Sequence, residues 1–419
     1  MVQVHPFSAL RPDPALAAGV AAVPYDVIST EEAAACIGED PRSFLRVSRA
    51  DAELPGIPPH DGAVYLRARE NLESMVSDGV FVRDADPSLY LYQVESGEHR
   101  VTGLVCTIGV DDYLAGTIRS HELTRREKEE DRTRHIDAVN AQTGLVFLFY
   151  RNDGQIGRGI GALVPRSGAP DAEVRAANGS LHRVYRIGSS RDIATAARLV
   201  SPLTRLYIAD GHHRAAAAAR VALARRKAGT GGGEADRVMS VLFPHDQVDI
   251  HGYSRLVTDL NGLTAEAFLG HLSKKFHVRR SQPGWRDDSR AQGGSSADGH
   301  RFRMYLAGEW YEVSWKGASP GAGNIPVLDV QVLQDEVLGP VLGIRDPRDD
   351  PRLQFLGGSR PIADLVEKVD AGGFAVAFAL RPVRIEEVMA VADAGGIMPP
   401  KSTWFEPKLF SGLLVHPLD

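Results

Sequence analysis

Cysteine is nearly absent from this chain. Cys36 and Cys106 are the only two among 419 residues, too few for a disulfide framework or a zinc cluster, and such sparing use fits a reducing cytoplasm. Excess positive charge is absent as well: 48 Lys and Arg face 54 Asp and Glu, a formal net charge of −6. Binding nucleic acid by bulk electrostatics needs a basic face, so no nucleic-acid partner is expected and a small-molecule partner fits better. Long apolar runs are missing, which removes a membrane span, and the first seven residues lack the basic flank and apolar core of a secretory signal. A cytoplasmic location without a membrane partner is the expectation. Three familiar signatures are lacking too. Without a Walker A loop or a Gly-x-Gly-x-x-Gly in its strand-to-helix setting, the usual P-loop kinases and Rossmann dehydrogenases are disfavoured, and the missing Gly-x-Ser-x-Gly elbow argues against an α/β-hydrolase.

What remains is an ordinary globular composition, 43% hydrophobic and 24% charged, long enough for two or three domains or one elaborated fold. Its most informative stretch is Ala209-Asp210-Gly211-His212-His213-Arg214. Residues 203–208 read as a short buried strand, and 215–227, nearly all Ala, Arg, Val and Leu, favour helix. The polar hexapeptide is then the turn between them. In this reading Asp210 caps the helix, Gly211 allows close backbone approach, and the first-turn amides lie unpartnered at the positive end of the helix dipole. Two imidazoles and a guanidinium at such a terminus make phosphate the fitting guest, with Arg214 able to bind it bidentately. The plainer alternative is a capped helix whose histidines satisfy local carbonyls.

Upstream, Val23-Pro24-Tyr25-Asp26-Val27-Ile28-Ser29 ends at a cap, Ser29 or Thr30, for a helix through residues 31–35, which exposes Tyr25 and Asp26 beside a turn. An amphipathic helix is expected over 63–79, with Leu66, Leu72, Met75 and Val76 on one side and Gly79 at its end. Residues 88–94 and 100–110 read as paired strands around Ser96-Gly97-Glu98, and 113–118 and 144–150 as further apolar strands. More strands are expected over 238–243, 302–306 and 310–315, with a helix over 327–341. Segments rich in Gly, Ser and Ala at 164–177, 229–235 and 281–299 read as loops. The fold expected is mixed α/β (α+β). It divides into 1–160 with the first two motif clusters, 161–280 with the Asp-Gly-His-His-Arg turn, and 281–419 with the last motifs, unless all form one interwoven unit.

A second cluster is Arg119-Ser120-His121-Glu122-Leu123-Thr124. Placed at a strand end, Glu122 is a candidate general base; a zincin site fails because no second His follows at the fourth position. The mixed-sign run Glu127 to Asp131 reads as a solvated helix face. In the third cluster, 397–408, prolines at 399, 400 and 407 stiffen the backbone around Lys401, Ser402, Thr403 and Lys408. That suits a preorganised pocket wall with cations for phosphate or carboxylate, or equally a closing segment packed through Trp404 and Phe405. Gly357-Gly358-Ser359-Arg360 is a fourth, weaker anion loop.

Taken in order, Pro24-Tyr25-Asp26-Val27-Ile28-Ser29, His121-Glu122-Leu123-Thr124, Ile208 to Arg214, Phe355-Leu356-Gly357-Gly358 and Met398-Pro399-Pro400-Lys401-Ser402-Thr403 resemble the family catalogued as domain of unknown function 1015. The Asp-Gly-His-His-Arg segment is also similar to the phosphate loop of the ParB/sulfiredoxin-like superfamily, which includes nucleotide hydrolases and kinases of free serine. The resemblance implies a ParB/sulfiredoxin-like core around the strand–turn–helix unit, elaborated by further mixed-sheet regions. It implies that Gly211, His212, His213 and Arg214 cradle nucleotide phosphates, and that Glu122 activates an acceptor hydroxyl, with His121, Asp210 and His213 as further catalytic groups. Asp210 or Asp26 would hold Mg2+. Tyr25, Asp26, Arg119, Thr124, Lys401, Ser402, Thr403 and Lys408 would contact substrate. One departure is Ser254, where Asn is expected in relatives. The implied activity is a phosphotransferase, a kinase of a small hydroxy amino acid such as serine, with ATP, ADP or another phosphate donor. Alternatives are a phosphoserine phosphatase, a non-catalytic nucleotide or metabolite sensor, and a metal-dependent hydrolase using His121, His212 and His213. A homodimer is the assembly considered.

Overall fold

The computed structural model describes residues 1–281, 299–317, 326–358 and 361–419. Two units account for the chain: one comprises Met1–Arg119, Thr124–Val248 and Pro407–Asp419, the other Ser120–Leu123 and Asp249–Glu406. The fold is mixed α/β in both.

A nine-stranded mixed sheet organises the first unit. Its strands are β1 (Val4–His5), β2 (Leu89–Ser96), β3 (His99–Gly109), β4 (Ile118–Arg119), β5 (Val146–Tyr150), β6 (Ala172–Arg175), β7 (Leu181–Ile187), β8 (Leu206–Asp210) and β9 (Arg237–Pro244). Their spatial order is β4-β8-β5-β9-β3-β2-β7-β6, with β1 added on β3. The hairpin β2–β3 turns at Gly97, whose φ of 58° favours glycine. All five residues of β5 are buried, as expected for a central strand with both faces covered. Helices α1 (Thr30–Glu39), α2 (Gly62–Ser77), α3 (Arg126–Val139) and α4 (His212–Lys227) belong to this unit. In α4, Ala215 to Ala219 and Ala222 are buried; such short side chains let the helix lie close to α3 and to the sheet. Ser29 caps α1 in a reciprocal box with Glu32.

The second unit has a six-stranded sheet, antiparallel throughout. Strands β10 (Ser254–Val257), β11 (Phe276–Arg280), β12 (Arg301–Leu306), β13 (Glu309–Trp315), β14 (Leu353–Leu356) and β15 (Val376–Ala379) run in the order β11-β13-β12-β15-β10-β14. Phe276, Phe302 and Phe378 meet edge to face in its core.

Several local expectations need correction. The apolar stretch 113–118 is not a strand: Asp111 and Asp112 start a helix over Val110–Leu114, Gly116 at φ 74° ends the path, and only Ile118–Arg119 joins the sheet. On α2 the buried stripe runs through Val64, Ala68, Leu72 and Met75, while Leu66 and Val76 fall outside it and are exposed. The segment 164–177 contains β6, whose alternate burial matches its pairing with β7. The helix expected over 327–341 is a short α-turn, Asp329–Leu333, running into a π-turn at Gln334–Leu338. Asp131 is buried, not part of a solvated face. Residues 282–298, including most of the expected third loop, and Ser359 and Arg360 lie outside the described residues.

Candidate functional site

Strand β8 ends at Asp210, and its register with β5 slips between Ile208 and Asp210. Such a bulge re-aims the end of a strand. Gly211 follows at φ 95°, where a side chain is strained and where a Cβ would come within 2.9 Å of Arg214 Nε. Gly211, not Asp210, is therefore the N-cap of α4, and no side chain caps the helix. The expected Asp210 cap is lost to a stronger attraction. Lys408 Nζ lies 3.3 Å from Asp210 Oδ2, and Arg214 Nη2 lies 3.6 Å from Oδ1. Burial would raise this carboxyl, but Lys408 and Arg214, helped by His212, hold it well below the usual carboxylate range. Asp210 is thus an ionised anchor for two cations at the start of a helix whose first amides have no side-chain partner.

The other turn residues divide their roles. His212 is buried and contributes to holding Asp210 ionised. His213 Nε2 accepts the Arg125 backbone N–H at 3.0 Å. Burial, with Arg125 and Lys128, lowers its pKa against the opposing pull of Asp26. A neutral imidazole accepting at Nε2 carries its proton on Nδ1, so His213 is equipped to donate rather than to serve as a base. Arg214 Nη1 donates to the Leu145 carbonyl at 2.6 Å. Gly144 makes room for this, since a Cβ there would sit 3.1 Å from that same nitrogen.

The Pro24 to Ser29 loop is held by residues that no motif announced. Arg49 donates to the Tyr25 carbonyl at 3.1 Å, to the Ile28 carbonyl, and to Thr30 Oγ1 at 2.7 Å, and is itself paired with Asp51 at 2.9 Å. Arg132 stacks on the Tyr25 ring, 4.2 Å from its centroid. Asp131 fixes Arg132 and accepts from Tyr65 and from His60 Nδ1, both at 2.9 Å. Burial and nearby Asp26 push the Tyr25 hydroxyl up to about 12, so it is a donor at neutral pH, and Asp26 itself is exposed. Tyr25 and Arg214 line one cleft. Arg119 sits on β4 in register with Tyr207, and Thr124 donates to Glu129 at 2.8 Å.

Five expected residues belong to the second unit. His121 is buried, its Nε2 is 3.4 Å from Thr403 Oγ1, and its carbonyl accepts the Met398 N–H. Glu122, half-buried, accepts at its carbonyl from Ser120 Oγ at 2.7 Å. Lys401 is exposed in the left-handed region at φ 55°, and Ser402 donates to the Pro399 carbonyl at 2.5 Å. Beneath this loop Arg255 is buried, donating to the carbonyls of Tyr253 at 2.6 Å, Lys401 at 3.0 Å and Pro400 at 3.3 Å. Burial pushes its guanidinium down to about 9. Sequence reasoning missed Arg49, Asp131, Arg132 and Arg255; the Arg49-x-Asp51 spacing was the one local hint.

The first unit thus brings Tyr25, Asp26, Asp210, His213, Arg214 and Lys408 into mutual electrostatic reach. Among the described residues no group of three or more His, Cys, Asp or Glu could hold a metal ion, so His121, His212 and His213 do not form the site that a metal-dependent hydrolase requires. No described helix is long and apolar enough to cross a membrane.

Fold and site together define a mixed α/β protein with a half-buried Asp–Lys–Arg cluster at an uncapped helix start. The particular family follows from the sequence. The profile described as "Protein of unknown function (DUF1015)" matches residues 4–331, and the chain belongs to that family. Curated proteins contain no match. Solved structures similar to this chain include a free serine kinase in complex with AMP, at 15% identity over 73% of this chain and 88% of that one, TM-score 0.37. A conserved hypothetical protein from Pyrococcus furiosus is similar at 14% identity over 73% and 91%, TM-score 0.35. A C-terminally truncated SbnI from Staphylococcus aureus is similar at 13% identity over 75% and 87%, TM-score 0.39.

Proposed function

We propose that this protein is a phosphotransferase that holds a nucleotide phosphate at the Asp-Gly-His-His-Arg turn and passes a phosphoryl group to a small hydroxy amino acid, serine first. The observation that carries this reading is the start of α4. A 16-residue helix begins there without a side-chain cap, and Arg214, Lys408 and the Nδ1 side of His213 gather at the same turn. Oriented amides plus fixed cations are what phosphoryl transfer chiefly asks of a protein. In the step itself, the donor's terminal phosphorus–oxygen bond breaks as a bond to the acceptor hydroxyl oxygen forms, and the hydroxyl proton passes to a base. Glu122 belongs to the second unit, and its part as that base is a separate proposal with its own test. Serine as acceptor rests on the family resemblance.

Magnesium would shield the donor phosphates and make them better electrophiles. Asp210 does not fit as its ligand, because Lys408 and Arg214 already take up its charge. Asp26, an exposed carboxylate facing His213 and Tyr25, fits that role.

The test is phosphorus NMR of the protein with magnesium, offered L-serine with ATP, ADP or pyrophosphate, and separately O-phospho-L-serine with and without ADP. A new phosphomonoester resonance that disappears in Arg214→Ala supports the transferase. Free phosphate from phosphoserine without ADP supports the phosphatase instead. Unchanged spectra in every mixture would remove serine phosphoryl chemistry.

A further inference from the structure

The cleft in the first unit contains groups that the phosphate reading does not use. Ser48, only 5% exposed, lines it, and its Oγ has no hydrogen-bond partner. Buried hydroxyls are rarely left so, and one that is commonly marks a place for a missing guest. Arg132 lines the same cleft. Its Nε and Nη2 are taken by Asp131 Oδ2 at 2.8 and 2.6 Å and its plane is stacked on Tyr25, which leaves the Nη1 corner for another acceptor. His135, one helical turn along α3, donates from Nε2 to the Val47 carbonyl at 2.9 Å. Burial and Arg132 push its pKa down to about 4, so it adds no charge near neutrality. Arg214 closes another side, and no Asp or Glu is among the lining residues.

A narrow cleft with two guanidinium corners, each paired with a carboxylate outside its lining, and a spare hydroxyl presents donors and no acceptor carboxylate to a guest, which suits an anion. Planarity decides which. A guanidinium edge matches a flat carboxylate in its own plane, whereas Arg132 so far places Nε and Nη2 on a single carboxylate oxygen, Asp131 Oδ2. A tetrahedral phosphate suits the open amides of the α4 terminus better.

We propose that this cleft binds the carboxylate of the small-molecule acceptor, with Ser48 and Arg132 as its specificity-determining residues. This rests on the phosphate reading of the adjoining turn, because Arg214 serves both. It makes the acceptor a carboxylic acid, and it separates a hydroxy acid or amino acid from a simple alcohol.

Calorimetric titration of the full chain with O-phospho-L-serine, O-phosphoethanolamine, inorganic phosphate and L-serine tests the idea. Phosphoethanolamine is phosphoserine without the carboxylate, so the ratio of their affinities reads the cleft, while inorganic phosphate reads the turn alone. Wild type should prefer phosphoserine by about tenfold or more, the effect of one charge-assisted contact. Ser48→Val and the milder Ser48→Ala, together with Arg132→Met, should bring the ratio near one. Phosphate binding with a wild-type ratio near one would overturn the cleft and leave the turn standing, as would variants that keep the ratio. Absent phosphate binding, with L-serine still bound by wild type and lost in Ser48→Val, would overturn the turn and leave the cleft. Failure to bind any of the four probes would overturn both.

Discussion

Arg214, half-buried in the first unit, and Arg255, buried in the second, are compensated in opposite ways. Arg214 shares the charge of Asp210 with Lys408 and spends one corner on a carbonyl. Arg255 has three carbonyls; carboxylates contribute nothing to its titration, which burial governs. A guanidinium that balances a carboxylate at a helix start can take on a guest anion by rearranging a shared charge. One clamped by main-chain carbonyls in a desolvated pocket holds backbone in place, and moving it exposes three acceptors at once. On the proposed reading the same residue type serves a ligand in the first unit and holds backbone in the second. That difference also bears on two motifs of the sequence: phosphate is proposed to sit at the Asp-Gly-His-His-Arg turn, whereas the carbonyls of Pro400 and Lys401 are tied to Arg255.

The comparison breaks most visibly in stability. Arg255→Met should cost roughly 2–4 kcal/mol, the loss of a buried hydrogen-bonded charge with its acceptors left unsatisfied, measured by urea unfolding. Arg214→Ala should cost far less stability yet weaken inorganic phosphate by about tenfold or more. If Arg255→Met is nearly neutral, the architectural role is wrong. Next in size, Glu122→Gln should lower turnover about a hundredfold, the usual scale for a general base, with phosphate affinity kept; a sensor would be indifferent to it. Lys408→Met removes the nearest cation from Asp210. Because the folded carboxyl is depressed, its stabilisation is present above the ordinary carboxylate range and lost as pH falls through the folded value. In the variant the folded carboxyl moves back toward its ordinary value, so the protein should be less stable at pH 7 and lose less melting temperature than wild type between pH 7 and 3. A further pH effect concerns a buried histidine. Burial pushes His182, bonded to Tyr92 and Ser180, down to about 4. As pH falls from 6.5 toward 4 the unfolded chain takes the proton first, so stability drops by up to about 1.4 kcal/mol per pH unit from this group. His182→Gln should flatten that slope.

Much of the site's frame was legible in the chain itself. The apolar run before Asp210 and the Ala-rich run after it announced β8 and α4, because strand and helix preferences change sharply at one glycine. A cap at Ser29 or Thr30 was likewise visible from spacing, and the structure selects Ser29, boxed with Glu32. Asp210 was misread as a cap because local rules cannot see Lys408, 198 residues away, whose attraction competes with the first-turn amides. The strand expected over 113–118 failed for the same kind of reason: an apolar run of six residues does not distinguish strand from helix, and Asp111 and Asp112 decided it. Arg49 and Arg132 act through contacts that only the fold creates, bonding to or stacking on the Tyr25 loop across 19 residues or more, and Asp131 acts through Arg132 and the distant Tyr65 and His60. Apart from the Arg49-x-Asp51 spacing, nothing in their immediate sequence separates them from solvated charges.

The most direct measurement of the central claim is a titration of isotopically labelled protein with inorganic phosphate, following the backbone amides of Gly211, His212, His213 and Arg214 by NMR. The account predicts saturable shifts concentrated at these amides, weakened by about tenfold or more in Arg214→Ala. Shifts that are absent there, or equally strong in the variant, would contradict it.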